Sequence, residues 1–160
     1  MKITKIAVYQ IDLPLNKPYW LSGGRLKFEG LDSTIVSIET DAGITGWGEG
    51  CPWGATYLPA FGAGIRAGMS ELAPALLGQN PLHVDQINYR MDRSLPGHLY
   101  IKSPLDMACW DIVGKHANLP LYSALGGKYQ ESVPLHSSIS TDTPEGMVEN
   151  VRSYRKQGYK

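Results

Sequence analysis

Residues 43–50 read GITGWGEG, with glycine at positions 46, 48 and 50. Alternate residues of a strand share a face. This strand therefore has one face cleared of side chains for close packing, while Trp47 and Glu49 point to the other. Two Trp and five Gly share the sixteen residues from 39 to 54, ETDAGITGWGEGCPWG. The strand hands the chain to a loop over 51–59, CPWGATYLP, that Pro52 pins and that carries Trp53 and Tyr57.

Around this strand the spacing predicts a meander. Residues 2–12, KITKIAVYQID, alternate Ile3, Ile6, Val8 and Ile11 with polar partners and read as a strand. Residues 33–40, STIVSIET, are β-branched and alternate in the same way, and Asp41-Ala42-Gly43 is a hairpin turn that returns the chain through 44–49. Between the first two strands, PLNKPYWLSGGRLKFEG at 14–30 holds two Pro and three Gly. It is expected to be a long loop, the kind that is usually functional inside a compact domain.

The next eighty residues change period. A helix is expected over 56–77, with Ile65, Met69, Leu72, Leu76 and Leu77 at helical spacing, Pro74 kinking or splitting it and Gly78 stopping it. A second is expected over 82–95, on Val84, Ile87, Met91 and Leu95, and a third over 102–117, N-capped by Ser103 with Pro104 as its first helical residue and Leu105, Ala108, Cys109, Ile112 and Val113 as its apolar stripe. After Gly126-Gly127, SVPLHSSI at 132–139 reads as a strand and 145–157 as a helix, the opening of a β/α repeat. The fold class is thus α+β: a three-stranded antiparallel meander followed by helices, then the start of a β/α barrel that the chain does not complete. The expected domains are 1–127 and 128–160.

Fifteen basic residues balance fifteen acidic ones, which argues against a nucleic-acid surface and against a polybasic membrane patch. Cys51 and Cys109 are fifty-eight positions apart with no CxxC or Cys/His cluster, so both are expected to be free thiols in a reducing, cytoplasmic setting. The first fifteen residues carry no long apolar run and are expected to be neither a secretion signal nor a membrane span.

GITGWGEG at 43–50 and KSPLDMACWDIVGKHANLPLYSALGG at 102–127 together resemble the amino-terminal capping domain of the enolase superfamily, in its mandelate racemase and muconate lactonizing enzyme branch. The strand and helix at 132–158 resemble the first unit of that family's barrel. Within the branch, PYWLSGGRLKF (18–28), GWGEGCPWGATYLP (46–59) and LPGHLYIKSPLDMACWD (95–111) resemble dehydratases of cis-3-hydroxy-L-proline. They resemble, less closely, epimerases of hydroxyproline betaine and proline betaine.

The resemblance implies a chemistry. Mg²⁺ neutralises a substrate carboxylate, a base removes the α-proton, and an acid expels a leaving group or reprotonates the carbon. In the family the basic lysines lie at the end of the second barrel strand and the metal carboxylates on the next three. All of these are expected beyond Lys160, which is itself placed before the catalytic strand. No catalytic residue and no metal ligand is therefore expected within the chain, and the 160 residues alone are expected to be inactive. The remaining expectations are a small-molecule carboxylate substrate of the proline-derivative class, homo-oligomerisation of the complete enzyme, and no nucleic-acid or membrane partner.

What the chain contributes, on this resemblance, is the lid. Tyr57 and Trp53 on the second loop, Tyr19, Trp20 and Ser22 on the first, and Ser138 at the carboxyl end of the first barrel strand are the expected substrate-facing residues. Aromatic rings suit a substrate ammonium through cation–π attraction. Strand alternation lets one of Ser137 and Ser138 face inward. Asp111 reads as structural, and His83, His98, His116 and His136 have no ligand spacing. Two alternatives stand beside the dehydratase: an epimerase of proline betaine-like substrates, and a non-catalytic binding module.

Overall fold

The computed structural model describes residues 1–159; Lys160 lies outside the described residues. The three strands are β1 (Ile3–Leu21), β2 (Leu26–Thr40) and β3 (Thr45–Gly50), in a sheet of order β1-β2-β3. β2 and β3 are antiparallel, with Ser37 opposite Trp47 and Val36 opposite Gly48. The helices are α1 (Gly54–Tyr57), α2 (Gly62–Leu76), α3 (Val84–Ser94), α4 (Leu99–Ala117), α5 (Leu121–Ala124) and α6 (Pro144–Lys156). Among the described residues no helix is long and apolar enough to cross a membrane.

The helical stripes do what their spacing predicts except at Leu77, which follows the last residue of α2 and is exposed. Ile65, Met69, Leu72 and Leu76 of α2, Val84, Ile87 and Met91 of α3, and Ile101, Leu105, Ala108, Cys109 and Ile112 of α4 form one core with Ile3, Val36 and Ile38 of the sheet. Leu105 is fully buried, and its truncation to alanine is expected to cost about 2–5 kcal/mol.

Two compact units divide the chain. One comprises Met1–Asp12 and Asp32–Lys128; the other comprises Leu13–Leu31 and the chain from Tyr129 onward. The core belongs wholly to the first. In the second, α6 buries no side chain, and Val133 and Leu135 are largely exposed.

Several local expectations are corrected. The segment 14–30 is not a loop: β1 runs to Leu21 and β2 starts at Leu26, so it is an extended hairpin. β1 is an edge strand, and Pro14 and Pro18 are four apart on it, so both missing N–H groups fall on one side of the strand. The helix expected over 56–77 breaks at Pro59 rather than Pro74. Leu58 is extended (φ −130°, ψ 162°), as a residue before proline is driven to be, while Pro74 sits in the last turn of an uninterrupted α2.

α4 begins at Leu99, five residues before Pro104, so Ser103 is not its cap and Pro104 is inside it. Its start is His98, in the left-handed region at φ 49°, whose C=O accepts from Ile101 N–H at 2.9 Å. Burial of Ile101 and Lys102 holds this extra turn in place. α5 carried no recognised signal. Residues 132–139 belong to no ladder among the described residues, because a parallel strand needs a neighbouring strand to pair with.

Candidate functional site

In the first unit, β3 lies against α4 through its bare face. A Cβ on Gly46 would fall 2.1 Å from Ala108 O, on Gly48 1.9 Å from Pro104 O, and on Gly50 2.6 Å from Ile65 Cδ1. No side chain larger than hydrogen fits there. The outer edge of β3 is covered by α4 side chains. Asp111 Oδ2 accepts from Trp47 N–H at 2.9 Å, and Lys115 Nζ donates to Thr45 C=O at 2.8 Å and to Asp111 at 2.6 Å. Trp47 stacks on Tyr9 with ring centroids 6.3 Å apart.

β3 thus delivers residues 51–61 from a fixed stem. Ser33 Oγ donates to Glu49 at 2.5 Å. Cys51 is half-buried; burial raises its thiol pKa, Ser33 opposes this with a hydrogen bond, and the charges of Glu49 and Asp32 add to the rise. The far end of the loop is held by Asp32 and Arg66, which fork onto each other at 2.8 Å. Trp53 is half-buried at the N-cap of α1, with Gly54 N–H donating to Pro52 C=O at 2.9 Å. Tyr57 closes α1 and is 56% exposed, beside exposed Leu58 and Phe61.

In the second unit the hairpin turns through Ser22, Gly23 and Gly24, at φ 54°, 66° and 82°. Three successive left-handed residues explain the glycine pair there. Ser22 serves the turn: its C=O accepts from Arg25 Nε at 3.1 Å. Tyr19 and Trp20 line an open cavity of about 460 Å³ together with Ser138, Ser140, Asp142 and Tyr154. Ser137 lines a different groove, of about 690 Å³, beside α6. Lys27 Nζ lies 5.5 Å from the centroid of the Trp20 ring, so a cation already occupies a face of that ring.

The expected site residues therefore fall into two sets. Tyr19, Trp20 and Ser138 share one cavity of the second unit, with Ser22 at the turn of the same hairpin; Trp53 and Tyr57 belong to the first unit. Sequence reasoning did not single out Asp32, Arg66 or the bonds made by Ser140. Asp32 and Arg66 are thirty-four positions apart, and no local pattern joins them.

Among the described residues, no three His, Cys, Asp or Glu side chains converge to hold a metal ion. Lys160 lies outside the described residues. The groups that converge in the cavity of the second unit include the aromatic rings of Tyr19, Trp20 and Tyr154 and the hydroxyls of Ser138 and Ser140.

Residues 5–126 match the family "Mandelate racemase / muconate lactonizing enzyme, N-terminal domain". The chain is 48% identical over 160 residues to a cis-3-hydroxy-L-proline dehydratase of Roseibium aggregatum, covering 99% of this chain and 43% of that protein. It is 38% identical over 159 residues to an N-succinyl-L-Arg/Lys racemase of Bacillus cereus, covering 99% and 42%. A crystal structure of an enolase-superfamily member from Roseovarius nubinhibens ISM, complexed with magnesium, superposes with a TM-score of 0.88 at 57% identity, covering 99% and 42%. The chain thus spans less than half the length of the relatives it matches. The family match and the shared fold together place it: the chain belongs to the mandelate racemase/muconate lactonizing enzyme branch of the enolase superfamily, and carries that branch's N-terminal domain.

Proposed function

We propose that the chain is the specificity cap of a Mg²⁺-dependent enzyme that dehydrates cis-3-hydroxy-L-proline. The observation that carries this reading is the 48% identity, over 99% of the chain, to a protein of that activity. The reaction removes the proton from Cα and expels the C3 hydroxyl as water, leaving a cyclic enamine that tautomerises to the imine. An α-proton next to a carboxylate is too weakly acidic to leave unless the developing charge is neutralised, which is what a divalent cation supplies when bound. The cation and the base belong, on this reading, to sequence outside this chain.

The cap's share is binding. In the first unit Tyr57 and Trp53 are the candidate substrate-facing residues of the second loop; in the second unit Tyr19 and Trp20 are those of the hairpin, and Ser138 offers a hydroxyl. Ser22, at the turn of the same hairpin, offers a second hydroxyl. The whole protein is read as a cytoplasmic homo-oligomer acting on a small carboxylate, with no nucleic-acid or membrane partner.

The test is incubation of the full-length protein with cis-3-hydroxy-L-proline in D₂O, followed by NMR. Loss of the 3-hydroxyl carbon signal, abolished by EDTA and restored by Mg²⁺, is the expected result. Deuterium at Cα with the hydroxyl retained would replace this reading by epimerisation, which the 38% identity to a racemase favours; proline betaine is then the substrate to assay. No change with either compound would leave the cap reading without its substrate. The 160-residue chain by itself is expected to exchange no α-proton.

A further inference from the structure

Trp20 is the penultimate residue of β1, next to the left-handed turn at 22–24. Its backbone is fastened by Ser140, 120 positions away, and by the next residue, Thr141. Ser140 Oγ accepts from Trp20 N–H at 2.7 Å and donates to Trp20 C=O at 3.5 Å, and Thr141 N–H donates to the same C=O at 3.3 Å. One hydroxyl therefore meets both polar groups of one peptide residue. Trp20 stands two residues past Pro18, which has no N–H to offer on that side of the strand. Trp20 is thus the last residue of β1 before the turn with an N–H on that side.

We propose that Ser140 is a positioning residue, a hydroxyl latch that fixes the hairpin tip so that Tyr19 and Trp20 wall the cavity they share with Ser138. This rests on the reading of that cavity as part of the substrate site. Two features favour a latch over a structural brace. The bonds are neutral and partly exposed, each of modest net strength, so they break and re-form without unfolding the domain. The adjoining turn is built of residues in the left-handed region, where two glycines give backbone freedom.

The experiment uses full-length protein and three forms: the parent, Ser140→Ala and Ser140→Thr. The first readout is amide hydrogen exchange at Trp20. It is expected to speed up about fivefold in Ser140→Ala, the ratio one net hydrogen bond supports, and to return toward the parent in Ser140→Thr, which keeps the hydroxyl. The second is steady-state kinetics with cis-3-hydroxy-L-proline: KM rises about fivefold in Ser140→Ala with kcat within twofold, and the threonine variant recovers it. The melting temperature stays at the parent's value. Unchanged Trp20 exchange in Ser140→Ala overturns the latch, as does faster exchange throughout the domain with a lowered melting temperature. Faster Trp20 exchange with unaltered KM overturns its role in binding. If the protein does not act on this substrate at all, the exchange arm still decides whether the latch exists, so failure of the functional reading is told apart from failure of the latch.

Discussion

Arg66 grips Asp32 through two parallel hydrogen bonds, Nη1 to Oδ1 and Nη2 to Oδ2, each 2.8 Å, and Nη1 reaches on to Thr34 Oγ1 at 3.0 Å. The same carboxylate abuts the start of α2, where a Cβ on Gly62 would lie 2.4 Å from Asp32 Oδ2. The fork therefore ties β2 to α2 at the point where the Tyr57 loop rejoins the helix. Lysine is a point charge and cannot reproduce a planar fork. Arg66→Lys is expected to lower stability by about 1 kcal/mol, the scale of a partly exposed pair of good geometry. Urea unfolding followed by circular dichroism checks it, and a loss below the fitting error would mean the fork adds nothing.

The same pair sets a pH dependence. The hydrogen bond from Arg66, then its charge, holds the Asp32 carboxyl below the usual carboxylate range against the opposing effect of burial. A carboxyl with a lower pKa folded than unfolded binds fewer protons in the native state, so it adds stability that grows with pH. That contribution is complete above pH about 4 and is lost as pH falls through the folded value. Between pH about 6 and about 3 the parent is expected to lose more stability than Asp32→Asn, measured by urea unfolding at both pH values. Equal losses would show that Asp32 does not carry it.

How much of this was legible beforehand depends on range. Periodicity reports which face of an element is apolar, so the stripes Ile65-Met69-Leu72-Leu76 and Val84-Ile87-Met91 were readable and are the core. The alternate glycines announced a close approach, and β3 meets α4 there. Proline was harder, because its effect depends on its neighbours. Pro59 breaks a helix by forcing Leu58 extended, Pro74 and Pro104 are tolerated inside helices, and Pro14 and Pro18 sit on an edge strand. Of the site, the aromatic residues were readable as candidates, while the Ser140–Trp20 bonds join positions 120 apart and leave no periodic trace.

Close approach at Gly48 predicts a large penalty for one methyl group. Its Cβ would fall 1.9 Å from Pro104 O and 2.8 Å from Pro104 C, backbone atoms of a buried helix that cannot swing aside. Gly48→Ala is expected to destabilise by about 3 kcal/mol, the upper part of the overpacking range. Gly30→Ala, whose nearest contact is Leu13 O at 3.1 Å, is expected to cost about 1 kcal/mol or less. Thermal melts of the two variants give the order, and equal melts would mean that α4 can move away from β3.

The two thiols differ in burial, and reactivity follows. Cys109 is fully buried in the core, and burial, with the Asp106 charge adding, pushes its pKa up to about 12. Thiolate is the reactive form, so Cys109 is expected to resist alkylation by iodoacetamide at pH about 8 until the protein is unfolded in urea. Cys51, half-buried with its pKa also raised, is expected to react slowly in the native state. Peptide mass spectrometry separates the two sites; labelling of native Cys109 at the rate of Cys51 would contradict the packing of α4.

Tyr57 tests the functional reading most directly, because its side chain contributes little to the fold. It ends a four-residue helix, is 56% exposed and is not in the core. Truncation should leave the melting temperature unchanged, so any kinetic change reports on substrate. In the full-length enzyme Tyr57→Ala is expected to raise KM or lower kcat at least tenfold, about 1.4 kcal/mol of binding or transition-state energy. Tyr57→Phe keeps the ring and removes the hydroxyl. If the ring does the enclosing, Phe restores most of the loss; if the hydroxyl orients the substrate, Phe behaves like Ala. Kinetics identical to the parent in both variants would remove Tyr57 from the site, and with it the strongest reason to regard the loop after β3 as a wall of the substrate pocket.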